Sequence, residues 1–459
     1  MNLRALFGLS VAGKRTPRHH FFPAIVVGIS VLWVVPANQV FAQAKGSTSS
    51  RLPELRLSLK EAMLAAVNDN PTVQLFKERI IQAQDQANTQ LGALLPNLSA
   101  TMSGARRRFF LSSFGGAPGV SSPREFYDAR ASLTQNIFSL SLIQKWRAAK
   151  MNIDVAYLDS ETTKRDMMAT TGLAYLETLR AQAGVAARAA DVKLNQELLR
   201  LAMERKSAGM ATSLDVTRAR VQLENEKLRL LVAKNEYDRA TLNLIRAMGL
   251  SFDVKLVLTD ELKMTKVAKQ TVEEALRVAR QYRVELQAQK RRERLAALSL
   301  SSVTMERVPS LTGSGDVGMI GNQIPNALTT DNVSVLLSIP IFDGGQRESR
   351  ISENRSLVRQ ESIKTQDVRY QVTLEVRDAL LTIESAQQQV VVAQKGLRLA
   401  LQELDLGRQR FSVGVATNIE VTDAQTSVAQ ARDNLIEGLF NFNASRVSLA
   451  RAQGRLDTL

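Results

Sequence analysis

Gly209-Met210-Ala211-Thr212-Ser213-Leu214-Asp215-Val216-Thr217-Arg218-Ala219 returns as Gly414-Val415-Ala416-Thr417-Asn418-Ile419-Glu420-Val421-Thr422-Asp423-Ala424, an offset of 205 residues. Both stretches read as a turn between two helices, with each glycine a left-handed cap closing the incoming helix. The offset is kept by Ile245-Arg246-Ala247-Met248-Gly249 and Ala450-Arg451-Ala452-Gln453-Gly454. At an offset of 213, Leu59-Lys60-Glu61-Ala62 matches Val272-Glu273-Glu274-Ala275, and Leu95-Pro96-Asn97-Leu98 matches Val308-Pro309-Ser310-Leu311. A chain that matches itself at several points in one order carries an internal repeat. The two halves are expected at 57–249 and 271–459, joined by a linker at 250–270.

Proline sets the length of what lies between these points. None occurs between Pro123 and Pro309, and none after Pro340. An interior proline costs a helix about 3 kcal/mol, so these gaps permit very long helices. Residues about 140–206 and 343–410 are rich in Ala, Leu, Gln, Glu, Arg and Lys. At 1.5 Å per residue each predicts a helix of roughly 100 Å, a length no globular domain needs. Shorter helices of roughly 35 residues are expected to return from Thr212 and Thr417. The spacing of Leu194, Leu198 and Leu201 suits coiled-coil packing.

Ahead of each long helix the apolar period changes to two. Leu98, Ala100 and Met102 alternate with Asn97, Ser99, Thr101 and Ser103. Tyr127, Ala129, Ala131, Leu133 and Ile137 alternate with polar neighbours, with Gln135 the one break. Val335, Leu337, Ile339 and Ile341 alternate with Ser334, Leu336, Ser338 and Pro340, and Leu311, Val317 and Met319 give a weaker, glycine-broken version. Four strands are expected, at about 97–110, 125–138, 310–320 and 331–342. One apolar and one polar face is the pattern of a membrane barrel, shared with a soluble two-faced sheet. Four strands cannot close a barrel, and an open edge in lipid leaves backbone groups unsatisfied. The barrel must then be shared between chains, and three copies leave room for a lumen.

The leader supports a secreted chain. Arg4, Lys14, Arg15 and Arg18 precede an apolar run from Phe21 to Val35, and Val40-Phe41-Ala42 offers a signal-peptidase site. Residues 1–42 are read as a signal peptide, with an N-terminal segment at 43–56. The apolar run is short of the roughly 18–20 residues that span a bilayer.

Composition narrows the chemistry. There is no cysteine, and both histidines, His19 and His20, fall in the leader. That removes thiolate and histidine metal sites, disulfides, lipidated cysteine and His-based triads, and argues against an enzyme. No cofactor, metal or catalytic residue is expected. The formal net charge of +15 is scattered among acids without interleaved aromatics, so nucleic acid is not an expected partner. Gly313-Ser314-Gly315-Asp316-Val317-Gly318 fits a dinucleotide pattern. No helix start follows it, so its glycines are read as strand glycines.

Several of these stretches resemble the TolC-like outer-membrane efflux proteins. The carriers are Leu57-Ser58-Leu59-Lys60-Glu61-Ala62 with Asn70-Pro71, Leu94-Leu95-Pro96-Asn97-Leu98-Ser99, Ile339-Pro340-Ile341-Phe342-Asp343-Gly344-Gly345, and the paired Gly-x-Ala-Thr turns. The resemblance implies a mainly α homotrimer with a twelve-stranded barrel in the outer membrane. Below it come an equatorial region and a long α-helical barrel in the periplasm. It also implies docking to a periplasmic adaptor that connects to an inner-membrane transporter. By the same resemblance, Glu420 and Asp423 ring a pore constriction, whereas acids early in a helix also simply complement its dipole. Gly209, Met210, Ala211, Asp215, Arg218, Gly414, Val415 and Ala416 would form the periplasmic tip and adaptor contact. Glu226, further along the returning helix, is read as a surface acid. The alternative from another class is a secreted coiled-coil protein such as a surface filament subunit.

Overall fold

The absence of proline from 124 to 308 lets one helix run unbroken over most of that span. In the computed structural model, which describes residues 53–458 except 116, 266 and 267, α3 covers Leu140–Ser207. Its counterpart α7 covers Gln346–Ser412, and both are about 100 Å long. The helices that return from them are α4, Ser213–Met248, and α8, Asn418–Gln453. The signal peptide expected at 1–42 and the first part of the 43–56 segment lie outside the described residues.

The remaining elements precede these pairs in the same succession in each half. First come α1 (Leu59–Asp69), α2 (Pro71–Gly92), β2 (Asn97–Arg107) and β3 (Arg124–Phe138). In the second half α5 (Val272–Tyr282), α6 (Val284–Thr304), β5 (Ser310–Gly321) and β6 (Leu328–Ser338) take the same places. Two short strands were not foreseen: β1, Glu54–Leu57, pairs in parallel with β4, Lys255–Leu258. They bring the N-terminal segment and the linker together, and Tyr175 of α3 fastens them. Its hydroxyl lies 3.0 Å from both the Leu57 carbonyl and Asp260 Oδ2.

The four longer strands form one antiparallel sheet in the order β2-β3-β5-β6. Its register gathers Leu98, Met102, Ala129, Leu133, Val317, Met319, Val333 and Val335 on one face, interrupted at Asp331. The other face carries Ser99, Thr101, Asp128, Arg130, Ser132, Asp316, Ser314 and Asn332, with Arg130 bonded to both Asp128 and Asp316. Gly318 sits in this ladder because a Cβ there would lie 2.6 Å from the Ala129 carbonyl oxygen. It is a strand glycine. β2 and β6 are open edges, with no strand partner on their outer sides among the described residues.

Two strands differ from expectation by more than one residue. β6 spans 328–338 rather than 331–342, because Pro340 has no N–H to give the ladder. β2 ends at Arg107 rather than 110, and Phe110 forms only an isolated bridge with Val120.

The core is strung along the helices as three clusters. One centres on Met63, Tyr175, Leu244 and Met248, where α1, α3 and α4 meet. A second joins α5, α7 and α8 through Val376, Val390 and Phe442. The third, around Leu198, Leu404, Phe411, Val421 and Val428, holds the ends of α3, α7 and α8 together.

Candidate functional site: the helix-turn tip

Both helix-turn-helix junctions are built alike. Gly209 and Gly414 have φ of +74° and +82°, a conformation that penalises any residue with a Cβ. Met210 N donates to the Arg205 carbonyl at 2.8 Å and Gly209 N to that of Lys206 at 3.0 Å. Val415 N and Gly414 N make the matching bonds to Arg410 and Phe411 at 3.0 and 3.1 Å. This paired pattern satisfies carbonyls that a helix end would otherwise leave open.

The returning helices start on threonine. Thr212 N donates to Asp215 Oδ2 at 2.9 Å and Asp215 N to Thr212 Oγ1 at 3.3 Å. The hydrogen bonds from Thr212 hold the Asp215 carboxyl below its ordinary range. Thr417 N donates to Glu420 Oε1 at 3.3 Å, and Glu420 Oε2 lies 3.7 Å from Arg410 Nη1. Glu420 is therefore engaged by its own helix start and by α7. Asp423, one turn on, is exposed and forms no ion pair among the described residues. It lines a groove between α4 and α8 with Thr217, Arg218, Val221, Gln222 and Ile419. Asp423 and Arg218 hold equivalent places in the two repeats and thus meet in one groove with opposite charge.

The other tip residues divide by exposure. Met210 and Val415 project, at 61% and 68% exposure. Ala416 does not: it is buried in the tip cluster, which covers its side chain and leaves it unavailable as a contact. Sequence reasoning missed the residues that tie the two turns together. Arg205 Nη1 donates to the Phe411 carbonyl at 2.6 Å, and its guanidinium lies 4.2 Å from the Phe411 ring centroid. Arg408 reaches Glu197 of α3 at 3.3 Å. The repeat carried a signal, since Arg205 and Arg410 both stand four residues before their glycine.

Glu226 corrects the surface reading given it above. It is 3% exposed, turned inward on α4 towards α3 and α8. Gln222 and Arg229 donate to its Oε1 at 3.1 and 2.8 Å, and its Oε2 has no partner. Burial pushes its carboxyl up. Beside it Arg188 contacts Asp433 at 2.5 Å, and Arg432 contacts the buried Asp191 at 2.5 Å. An exposed heptad position would have looked the same in the sequence.

Two exposed apolar rows flank the bundle. Leu214, Val221, Leu228 and Leu242 repeat at multiples of seven along α4. Val392, Leu399 and Leu406 do so along α7, with Val413 at its cap. Heptad rows of this kind pack against another helix.

Comparison with known proteins fits this geometry. The Outer membrane efflux protein family model matches residues 62–250 and again 268–455. The chain is 24% identical over 345 residues to Outer membrane protein TolC of Escherichia coli, covering 72% of this chain and 69% of that protein. It is 23% identical over 418 residues to Probable efflux pump outer membrane protein TtgC of Pseudomonas putida, covering 86% and 83%. Its fold matches the Campylobacter jejuni CmeC outer membrane channel with a TM-score of 0.75 at 17% identity, over 87% and 86% of the two chains. The open-state Neisseria gonorrhoeae MtrE outer membrane channel gives a TM-score of 0.72 at 16% identity, over 87% and 89%. The same family model thus accounts for each half in turn, and the chain belongs to the outer membrane efflux protein family.

Proposed function

We propose that the chain is the outer-membrane conduit of a tripartite efflux pump or type I secretion system. It works as a homotrimer and carries solute or polypeptide passively, without chemistry of its own. The observation that carries this reading is the four-stranded sheet with one apolar face, one polar face and two open edges. Such a sheet is stable in lipid only if its edges are paired by other copies. Three copies supply twelve strands, enough for a barrel with an aqueous lumen. The exposed heptad rows on α4 and α7 give the same copies a helical seam, continuing the sharing of edges below the membrane.

At the far end of the long helices, Glu420 and Asp423 are assigned to the constriction. In a trimer, six carboxylates then crowd one axis, and such rings select cations. Asp423 supports this role better than Glu420, whose carboxylate is already bound to Thr417 N and faces Arg410. The exposed Met210 and Val415, with Gly209, Ala211, Asp215, Arg218 and Gly414 around them, are assigned to the contact with a periplasmic adaptor. That adaptor links the conduit to an inner-membrane transporter. Photo-crosslinking from Met210 and Val415 in intact cell envelopes tests the assignment. Recovery of a periplasmic adaptor from both positions is the expected result. Cross-links confined to other copies of this chain would refute it.

A further inference from the structure

Alternation along β2 carries Arg106 to the apolar side of the sheet, in line with Leu98 and Met102. Arg108 follows in the same alternation, one residue past the strand's end. Arg107 and its cross-strand partner Arg124 fall on the polar side. All four are exposed, and among the described residues none forms an ion pair. Two arginines directly opposite each other repel, so this rim carries a local electrostatic cost within the chain. On the apolar side Glu125 stands opposite Arg106, accepts a hydrogen bond from the Tyr127 hydroxyl at 3.1 Å and forms no ion pair with Arg106 among the described residues.

The depth of this rim identifies what faces it. Ten residues separate Leu98 from Arg108. That is about 34 Å along a strand, or about 26 Å of depth at a barrel tilt of about 40°. The apolar band of a membrane barrel is about 25 Å tall and is edged by aromatic residues. Tyr127 lies on the apolar face beside Gly104, one step inside Arg106. The sequence along that face is therefore aliphatic, aromatic, then a charged rim in which Arg106 and Arg108 outnumber Glu125, at the height of lipid headgroups.

We propose that Arg106 and Arg108 bind the phosphate of an outer-leaflet lipid headgroup. The guanidinium fork matches phosphate oxygens in pairs, and low hydration suits it to an interface. The proposal rests on the reading of the sheet's apolar face as lipid-facing, given under the proposed function.

The test uses the full chain reconstituted in phosphatidylcholine bilayers with and without phosphatidic acid. Native mass spectrometry reads how many phosphatidic acid molecules stay bound. The wild type should retain phosphatidic acid over phosphatidylcholine by roughly tenfold. Arg106→Gln/Arg108→Gln should lose that preference, whereas Arg107→Gln/Arg124→Gln, on the other face, should keep it. Equal loss in both pairs, or no preference in the wild type, would overturn the proposal; the wild-type result decides even if a variant fails to assemble. Displacement of phosphatidic acid by inorganic phosphate at matched concentration would assign the site to free phosphate and also overturn it. Loss of the trimer with lipid preference unchanged would assign the arginines to contact between copies instead. Conductance of the wild type in pure phosphatidylcholine tests the underlying reading separately. Silence there fails the conduit itself, whereas conductance without lipid preference fails only this site.

Discussion

Arg205, at the end of α3, closes over Phe411, at the end of α7, with its guanidinium both bonded to the Phe411 carbonyl at 2.6 Å and stacked 4.2 Å from the ring centroid. This contact joins one helical hairpin to the other at the helix-turn tip. A hydrogen bond from a charged donor contributes about 1.5–3 kcal/mol, and a partly exposed cation–π contact about 0.5–1 kcal/mol. Arg205→Ala should thus weaken the closed tip, with larger and longer conductance steps in planar bilayers. Arg205→Lys, which keeps the charge but loses the planar fork, should fall between the two. Conductance identical to the wild type in both variants would reduce the contact to local packing.

Glu226 gives a pH prediction. Burial raises its carboxyl, helped by Asp191 on α3 and Asp433 on α8, while Arg229 and Arg188 oppose the rise. The folded chain then holds this proton to higher pH than the unfolded chain. Its contribution is most favourable below the unfolded value, about 4.3, and is lost as pH rises through the folded value. Glu226→Gln should accordingly raise the melting temperature at neutral pH, with the gain vanishing near pH 4. A variant less stable than wild type at pH 7 would mean that the Arg229 pair outweighs burial.

How far the sequence disclosed this structure depends on whether a feature is local. The long helices followed from missing prolines, and the turn glycines from the repeat. Strand alternation was legible because one face is mainly apolar, with few breaks such as Gln135 and Asp331. The β1–β4 pair was not, since four-residue strands at Glu54 and Lys255 leave no periodic trace. Nor was the burial of Glu226: a helix face is covered or open according to which neighbour lies there, and α8, which helps cover it, is distant in sequence. The Arg205–Phe411 clamp failed to appear for the same reason, although Arg205 and Arg410 stand at the same offset of the repeat.

The pore role proposed for Glu420 and Asp423 can be separated from a role in starting the helix. Replacing Glu420 and Asp423 together by Gln and Asn should reduce cation selectivity and abolish block by multivalent cations. Glu224→Gln, an exposed acid on α4 paired with Lys227, should change neither. Reversal potentials in a salt gradient decide the matter. Selectivity unchanged in the double variant would leave both acids as helix-start residues only.

Assembly should depend on the heptad rows. Leu399→Glu with Leu406→Glu places charge in the seam assigned to a neighbouring copy. Each buried leucine contributes about 1.5–3 kcal/mol, so the trimer should dissociate at concentrations where the wild type stays whole. Sedimentation in detergent reads this directly. An intact trimer would place the seam elsewhere.

The central claim, an aqueous conduit shared between copies, is tested most directly by single-channel recording on the purified assembly in planar bilayers. Discrete, cation-selective steps from a species with the mass of three chains are the predicted result. A folded, bilayer-incorporated protein that passes no current, or a lone chain that conducts, would contradict the account.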